Sequence, residues 1–275
     1  MKIKLLLLFV ILFVLSNAAQ TLSKETIYIQ TNLGTMTLKL YEETPLHKAN
    51  FLKLTNQGAF DSLLFHRIIA GFMIQAGDPL SKYAKAGDSL GHGDLKYTIP
   101  AEINSKLIHS KGKLCAARES DDINPKFESS ASQFYIVVGK KRSLEDLKKY
   151  EDRINKTHYT NCARNFIKTN EGKTLKDSYM RLKNENKTDS AALINQKIEN
   201  EIEKIQLQTP HYKFSQQQID AYTTVGGTPH LDGSYTVFGE VIEGLEVIDK
   251  IANMPKDKRD RPLEDIRITV KVKKR

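Results

Sequence analysis

The period of hydrophobic and polar positions changes along the chain, and each change marks an element. Apolar and polar residues alternate at Ile27-Tyr28-Ile29 and again at Met36-Thr37-Leu38-Lys39-Leu40, with a turn at Asn32-Leu33-Gly34 between them, which predicts a β-hairpin. Thr44-Pro45 then offers an N-cap and a favoured first helical residue. Ala49, Phe51, Leu52 and Leu54 make an apolar face that stops before Gly58. This helix is expected to plug one end of a sheet. Phe65 to Ile69 and Phe72 to Gln75 are two apolar runs of strand length, parted at Gly71 and closed by Gly77-Asp78-Pro79. The loop that follows is rich in Gly, Ser and Asp through Gly93. It lacks the Gly-x-x-x-x-Gly-Lys pattern of a phosphate cradle and reads as turn chemistry. Thr98 to Glu102 leads through a further loop to a short strand at Leu114.

Between Gly139 and Thr223 the pattern turns helical, apolar density falls and charges alternate in sign. Ser143-Leu144-Glu145-Asp146 opens one helix carrying Leu147 and Ile154, and Leu175, Tyr179 and Leu182 mark a second, with a mobile polar connector predicted over Asn184 to Asp189. Ile194, Ile198, Ile202 and Ile205 form a narrow stripe, the mark of an amphipathic helix ending before Pro210. Ser215-x-x-Gln218 fits a capping box for a short helix through Tyr222. Strand character returns after a turn at Gly226-Gly227-Thr228-Pro229. Thr236 to Val241 is a strand, Leu245, Ile248 and Ile251 a helical face, and Ile266 to Val270 a last alternating strand. Many short strands with few helices point to an antiparallel barrel.

The start of the chain carries a different signal. Lys2 and Lys4 precede an apolar run from Leu5 to Leu15, and Ser16-Asn17-Ala18-Ala19 follows. This is the form of a secretory signal peptide over residues 1–19, cleaved after Ala18 or Ala19, and the run is short for a membrane-spanning helix. An uncleaved anchor is the rival reading, but the basic flank of a stop-transfer segment is missing. The mature chain is expected to be soluble and exported, either periplasmic or secreted, with no stable membrane insertion.

Composition changes this picture little. With 275 residues, the chain left after cleavage can hold one domain with a large insertion. A net charge of +9 without a Lys/Arg block, in an exported protein, argues for a solvated basic surface and against nucleic acid. Cys115 and Cys162 are the two cysteines. Cys115 lies in an apolar run, as a small buried residue would; in an oxidising compartment the two could instead pair. No metal-ligand spacing is present. His47, His92, His109, His158 and His211 are expected at the surface.

Arg67 and Gln75, set inside apolar strand runs, are the candidates for chemistry, because an unpaired guanidinium is seldom buried in a small sheet. Either Arg67 faces water or it lines a site. The stretch Phe65-His66-Arg67-Ile68-Ile69-Ala70-Gly71-Phe72-Met73-Ile74-Gln75-Ala76-Gly77-Asp78 resembles the signature of the cyclophilin family of peptidyl-prolyl isomerases. Two further blocks follow in the family's order: Ala131-Ser132-Gln133-Phe134-Tyr135-Ile136, and His230-Leu231-Asp232-Gly233-Ser234-Tyr235-Thr236-Val237-Phe238-Gly239. The resemblance covers roughly residues 25–139 and 223–272, leaving 140–222 as a helical insertion.

What the resemblance implies is a mainly β fold: a closed eight-stranded antiparallel barrel capped by two helices, plus the inserted helices. It implies isomerisation of X-Pro bonds in proline-containing polypeptides, with no cofactor and no metal. Arg67, Phe72 and Gln75 would be catalytic. His66, Met73, Ala117, Arg118, Gln133, Tyr135, His230, Leu231 and Tyr235 would bind substrate, His66 by orientation or packing since the reaction moves no proton. Three positions depart from the family pattern. His230 replaces a tryptophan, which puts sensitivity to cyclosporin-type macrocycles in doubt. Arg118 stands where some members have Asn and is expected to add charge at the pocket rim, favouring acidic flanking residues. Tyr235 replaces a common histidine. A second reading keeps the fold without the catalysis, as a binding module or holdase chaperone whose inserted helices engage a protein partner. A third makes the chain an assembly subunit docked through the Ile194 to Ile205 stripe.

Overall fold

The computed structural model describes residues 26–208 and 211–273, so the stretch read as a signal peptide lies outside the described residues. In chain order the elements are β1 (Thr26–Thr31), β2 (Gly34–Leu40), α1 (Pro45–Asn56), β3 (Arg67–Ile69), β4 (Met73–Ala76), β5 (Thr98–Ile99), β6 (Lys113–Ala116), β7 (Ser129–Ser130) and β8 (Phe134–Val137). They continue with α2 (Leu144–Lys168), α3 (Asn170–Asn184), α4 (Thr188–Leu207), α5 (Gln216–Thr224), β9 (Val237–Glu243), α6 (Leu245–Ala252) and β10 (Thr269–Lys273). The chain forms two compact units. One comprises the described residues up to Gly139 together with those from Leu231 on; the other is Lys140–His230.

In the first unit eight strands make one curled antiparallel sheet, in the order β10-β1-β2-β9-β6-β8-β4-β3. The closed barrel expected from the sequence is corrected here. The ladder is open, with β3 and β10 as its ends. What reaches across is an isolated bridge, Leu64↔Arg267, with backbone bonds such as Phe65 N to Ile266 O at 2.9 Å. The reason is local. Ser62 holds a positive φ of 67° just before this segment, and β3 is three residues long, too short to carry a register. The predicted last strand also shifts: Ile266 and Ile268 serve the bridging segment, and the ladder proper begins at Thr269.

Alternation divides the strand residues between two faces. Ile27, Ile29, Met36, Leu38, Ile68, Ile74, Leu114, Phe134 and Ile136 turn inward to one core, where Phe51 and Leu54 of α1 and Val247, Ile248 and Ile251 of α6 join them. Their neighbours Met73, Cys115, Tyr135 and Val137 face the other way, into a smaller cluster with Tyr41 and Val237. That second face carries the candidate site.

Helix α1 starts at Pro45 as predicted, but Thr44 makes no side-chain cap. The carboxylate of Glu102 does this instead, accepting from Leu46 N and His47 N at 3.0 Å each and lying 2.6 Å from His47 Nδ1. The other ring nitrogen of His47 meets Ser129 Oγ at 2.9 Å. His47 and His109 are therefore buried, contrary to the surface expected for them, because each ring is held by a carboxylate, His109 by Asp232 at 2.9 Å.

The second unit is helical. Ser143 and Ser215 form reciprocal capping boxes with Asp146 and Gln218, and the Thr169 hydroxyl caps α3 by accepting from Gly172 N. The α2–α3 corner needs that glycine, since a Cβ there would sit 2.1 Å from Phe166 O. Ile198 and Ile202 are buried against Cys162 and Phe166 of α2, with Leu175 and Tyr179 of α3 alongside. The isoleucine stripe thus lies against the unit's own helices. Both cysteines are free and buried, so the pairing considered from sequence is not formed.

Candidate active site

Cross-strand register places four side chains in one row. Arg67 of β3 stands opposite Gln75 of β4, Gln75 opposite Tyr135 of β8, and Tyr135 opposite Cys115 of β6. Directly paired residues project from the same face of a sheet, so the row runs from an exposed cation at the sheet end to a buried thiol. The β3–β4 turn works because Gly71 takes a φ of 72°, with Phe72 N donating to Ile69 O at 3.0 Å. Phe72 O in turn accepts from Val138 N at 3.0 Å and Gly139 N at 3.1 Å, which ties this turn to the end of β8.

Over this row lies a cavity of about 190 Å³ lined by Arg67, Phe72, Met73, Gln75, Ala117, Arg118, Tyr135, Leu231 and Tyr235. Tyr135 in its lining and Cys115, paired with Tyr135 across the strands, are neutral: burial pushes both the phenol and the thiol well above their ordinary values. Arg67 is the cation at its mouth, its side chain 43 % exposed and its Nε 3.9 Å from Asp260 Oδ2. Nine of the twelve site residues expected from sequence line this one cavity.

The other three stand apart from it. Gln133 lines a neighbouring cavity of about 360 Å³ that shares Gln75, Ala117 and Arg118 with the first. Gln133 Nε2 donates to Gly93 O at 2.6 Å and Gly91 O at 3.1 Å, and those carbonyls can only accept. Its Oε1 must therefore face Gln75, which donates Nε2 at 2.9 Å, and the Gln75 oxygen points away from Gln133. His66 is 3 % exposed, and burial pushes its pKa down to about 4 against the pull of Asp78, so it is a neutral packing residue near pH 7. His230 belongs to the second unit, where its ring stacks on Tyr150 with centroids 6.1 Å apart.

Arg118 differs from the rim charge expected of it. Its side chain is 3 % exposed, and Nη2 lies 2.7 Å from Asp121 Oδ1. Two contributors escaped sequence reasoning. Asp260, within Asp257-Lys258-Arg259-Asp260, reads as one more residue of a solvated charged loop, yet it is the acid facing Arg67. Asp78 reads as a turn former. It is fully buried, accepting from Leu80 N at 2.8 Å and Gly91 N at 2.5 Å, and so holds the loop whose carbonyls orient Gln133.

A family model described as cyclophilin type peptidyl-prolyl cis-trans isomerase matches residues 26–152 and 151–272. The chain belongs to the cyclophilin family. Among curated proteins this cyclophilin is 29 % identical over 241 residues to one from Streptococcus pyogenes serotype M6 assigned as a bifunctional phosphatase/peptidyl-prolyl cis-trans isomerase. That match takes in 86 % of this chain and 36 % of the streptococcal protein, so the chain spans about a third of that relative's length. A Staphylococcus aureus protein (strain USA300) assigned as a peptidyl-prolyl cis-trans isomerase is 26 % identical over 241 residues, covering 87 % of each chain. The fold is similar to the crystal structure of a cyclophilin type isomerase from Cryptosporidium parvum, with a TM-score of 0.51, 20 % identity, and coverage of 91 % of this chain and 98 % of that one. A second crystal structure of that protein, determined in the presence of the dipeptide Ala-Pro, matches with a TM-score of 0.50 at 20 % identity, covering 91 % and 99 %.

Proposed function

We propose that this cyclophilin accelerates cis-trans isomerisation of X-Pro bonds in unfolded or partly folded polypeptides, with Arg67 stabilising the twisted amide. The observation that carries the reading is the row in which a partly exposed guanidinium and an amide border an apolar cavity. The planar X-Pro amide rotates over a barrier of about 18–20 kcal/mol because its carbon–nitrogen bond has partial double-bond character. Twisting the bond returns the lone pair to the prolyl nitrogen and makes it a better acceptor. A fixed donor that meets this nitrogen in the twisted state and not in the planar one lowers the barrier by differential binding.

Arg67 suits that task because it is always charged and is not consumed as an acid. The proline ring would sit on Phe72, Met73, Tyr135 and Leu231, while Gln75 presents its oxygen to the peptide or to Arg67. No proton changes hands, in keeping with a neutral His66. The Ala-Pro dipeptide present with the Cryptosporidium parvum protein supports a proline-containing substrate. The exported setting, periplasmic or secreted, rests on the Lys2 to Ala19 pattern alone, and N-terminal sequencing of the mature protein tests it.

The activity is tested by cis-to-trans relaxation of a short X-Pro peptide. Arg67→Ala is expected to lower kcat/KM about ten- to a hundredfold, the rate equivalent of losing a charge-assisted bond of about 1.5–3 kcal/mol. Wild-type protein that is folded and gives no acceleration would favour the non-catalytic binding module instead.

A further inference from the structure

Arg118 joins two segments that are far apart in sequence. Its Nε donates to Ser234 O at 2.8 Å and its Nη1 to Glu119 O at 2.8 Å. The guanidinium carbon lies 4.6 Å from the Phe127 ring centroid and 4.4 Å from that of Tyr235. Both segments wall the proline cavity, Ala117 and Arg118 on one side, Leu231 and Tyr235 on the other. Arg118 also lines the neighbouring 360 Å³ cavity, so it is the partition between the two.

We propose that Arg118 is a positioning and specificity-determining residue, a buried cross-brace that sets the width of the proline cavity. Its planar fork reaches Ser234 O, Glu119 O and Asp121 at once while lying against two rings, a combination that an ammonium cannot reproduce. Because Asp121 neutralises it, its charge does not draw acidic residues. The neighbouring cavity keeps Asp94, Glu119 and Glu128 in its lining and is left acidic on balance. The substrate class that follows is X-Pro peptides with a cationic or neutral side chain ahead of the proline, the opposite of the acidic preference that the bare sequence suggests.

This inference rests on the isomerase reading, and the test separates the two. Relaxation and direct binding of Lys-Pro and Glu-Pro peptides of equal length are measured with full-length wild type, Arg118→Lys, Arg118→Met and Asp121→Asn. Arg118→Lys and Arg118→Met are each expected to weaken peptide binding and raise KM about tenfold with kcat within about twofold, since Arg67 and Gln75 are untouched. Wild type is expected to favour the Lys-Pro peptide, and Asp121→Asn, a change at an exposed carboxylate, to shift the preference several-fold toward Glu-Pro. Wild-type affinity in Arg118→Lys, or a wild-type preference for Glu-Pro that Asp121→Asn leaves unmoved, would overturn the proposal. Absence of turnover in wild type would sink the isomerase reading alone, because the binding constants still report on the brace. If both Arg118 variants fail to fold, Asp121→Asn and Phe127→Leu decide; a shifted peptide preference in the first and weakened binding in the second support the brace, and neither effect rejects it.

Discussion

His66 adjoins the proposed catalytic arginine, and its protonation is governed by burial. In the folded chain it takes up a proton only below about 4, against an ordinary value of 6.5. Between those two values the unfolded chain binds more protons than the folded one, so this residue's contribution to stability is present above about 6.5 and is lost as pH falls toward 4. The linked loss is about 1.4 kcal/mol per pH unit and ~3 kcal/mol across the window. Urea unfolding of wild type and His66→Gln from pH 7 to 4 checks this. The variant is expected to show a shallower pH slope, by close to one proton, and equal slopes would refute the assignment. Turnover is expected to change little over the same range while the protein stays folded, because the proposed chemistry requires no proton from this ring. Arg118 is the complementary case, a residue whose type is legible in the sequence and whose environment is not: an arginine beside a pocket is a free charge or a structural strut depending on Asp121 and two rings.

Among the elements, α1 shows how a remote side chain substitutes for a local cap. Glu102 satisfies two amide donors at its N-terminus and holds His47, whose second nitrogen reaches β7. Glu102→Ala removes all three acceptor contacts from Glu102, and a loss of about 2–3 kcal/mol is expected by chemical denaturation. A loss below about 0.5 kcal/mol would mean that water caps the helix equally well. Local signals were strong where the chain repeats a short period. The first hairpin, the span of α1, the Ser215 capping box and the helix bearing the isoleucine stripe could all be read from residue spacing and turn chemistry. Signals failed where a partner is distant. Thr44 looks like a cap, and only three dimensions show Glu102 in that role. The barrel looked closed because strand count and family likeness say nothing about whether three residues of β3 suffice to meet β10. Pocket residues on strands were legible through the motif that contains them. Asp260 and the Arg118 brace were not, since both depend on loops meeting across more than a hundred residues.

At the scale of the whole molecule, the residues lining the cavity over the Arg67–Gln75–Tyr135 row all belong to the first unit, and none comes from Lys140–His230. Replacing Ser143 to Ala221 with a short linker is therefore expected to leave turnover of a small X-Pro peptide within about threefold of wild type, a change of well under 1 kcal/mol. A larger loss in a variant that remains folded would show that the helical unit takes part in the reaction. The same division has a consequence for biogenesis. The first hairpin finds its partners at the far end of the chain, β1 with β10 and β2 with β9, whereas α2 to α5 are contiguous in sequence. A polypeptide synthesised from its N-terminus can complete the helical unit while both edges of the hairpin still lack their neighbours. Such long-range closure is slow and leaves strand edges open to wrong partners. The cavity over the Arg67–Gln75–Tyr135 row gains its Leu231 and Tyr235 wall only once the last strands have emerged, so a chain still being synthesised cannot assemble that site for itself.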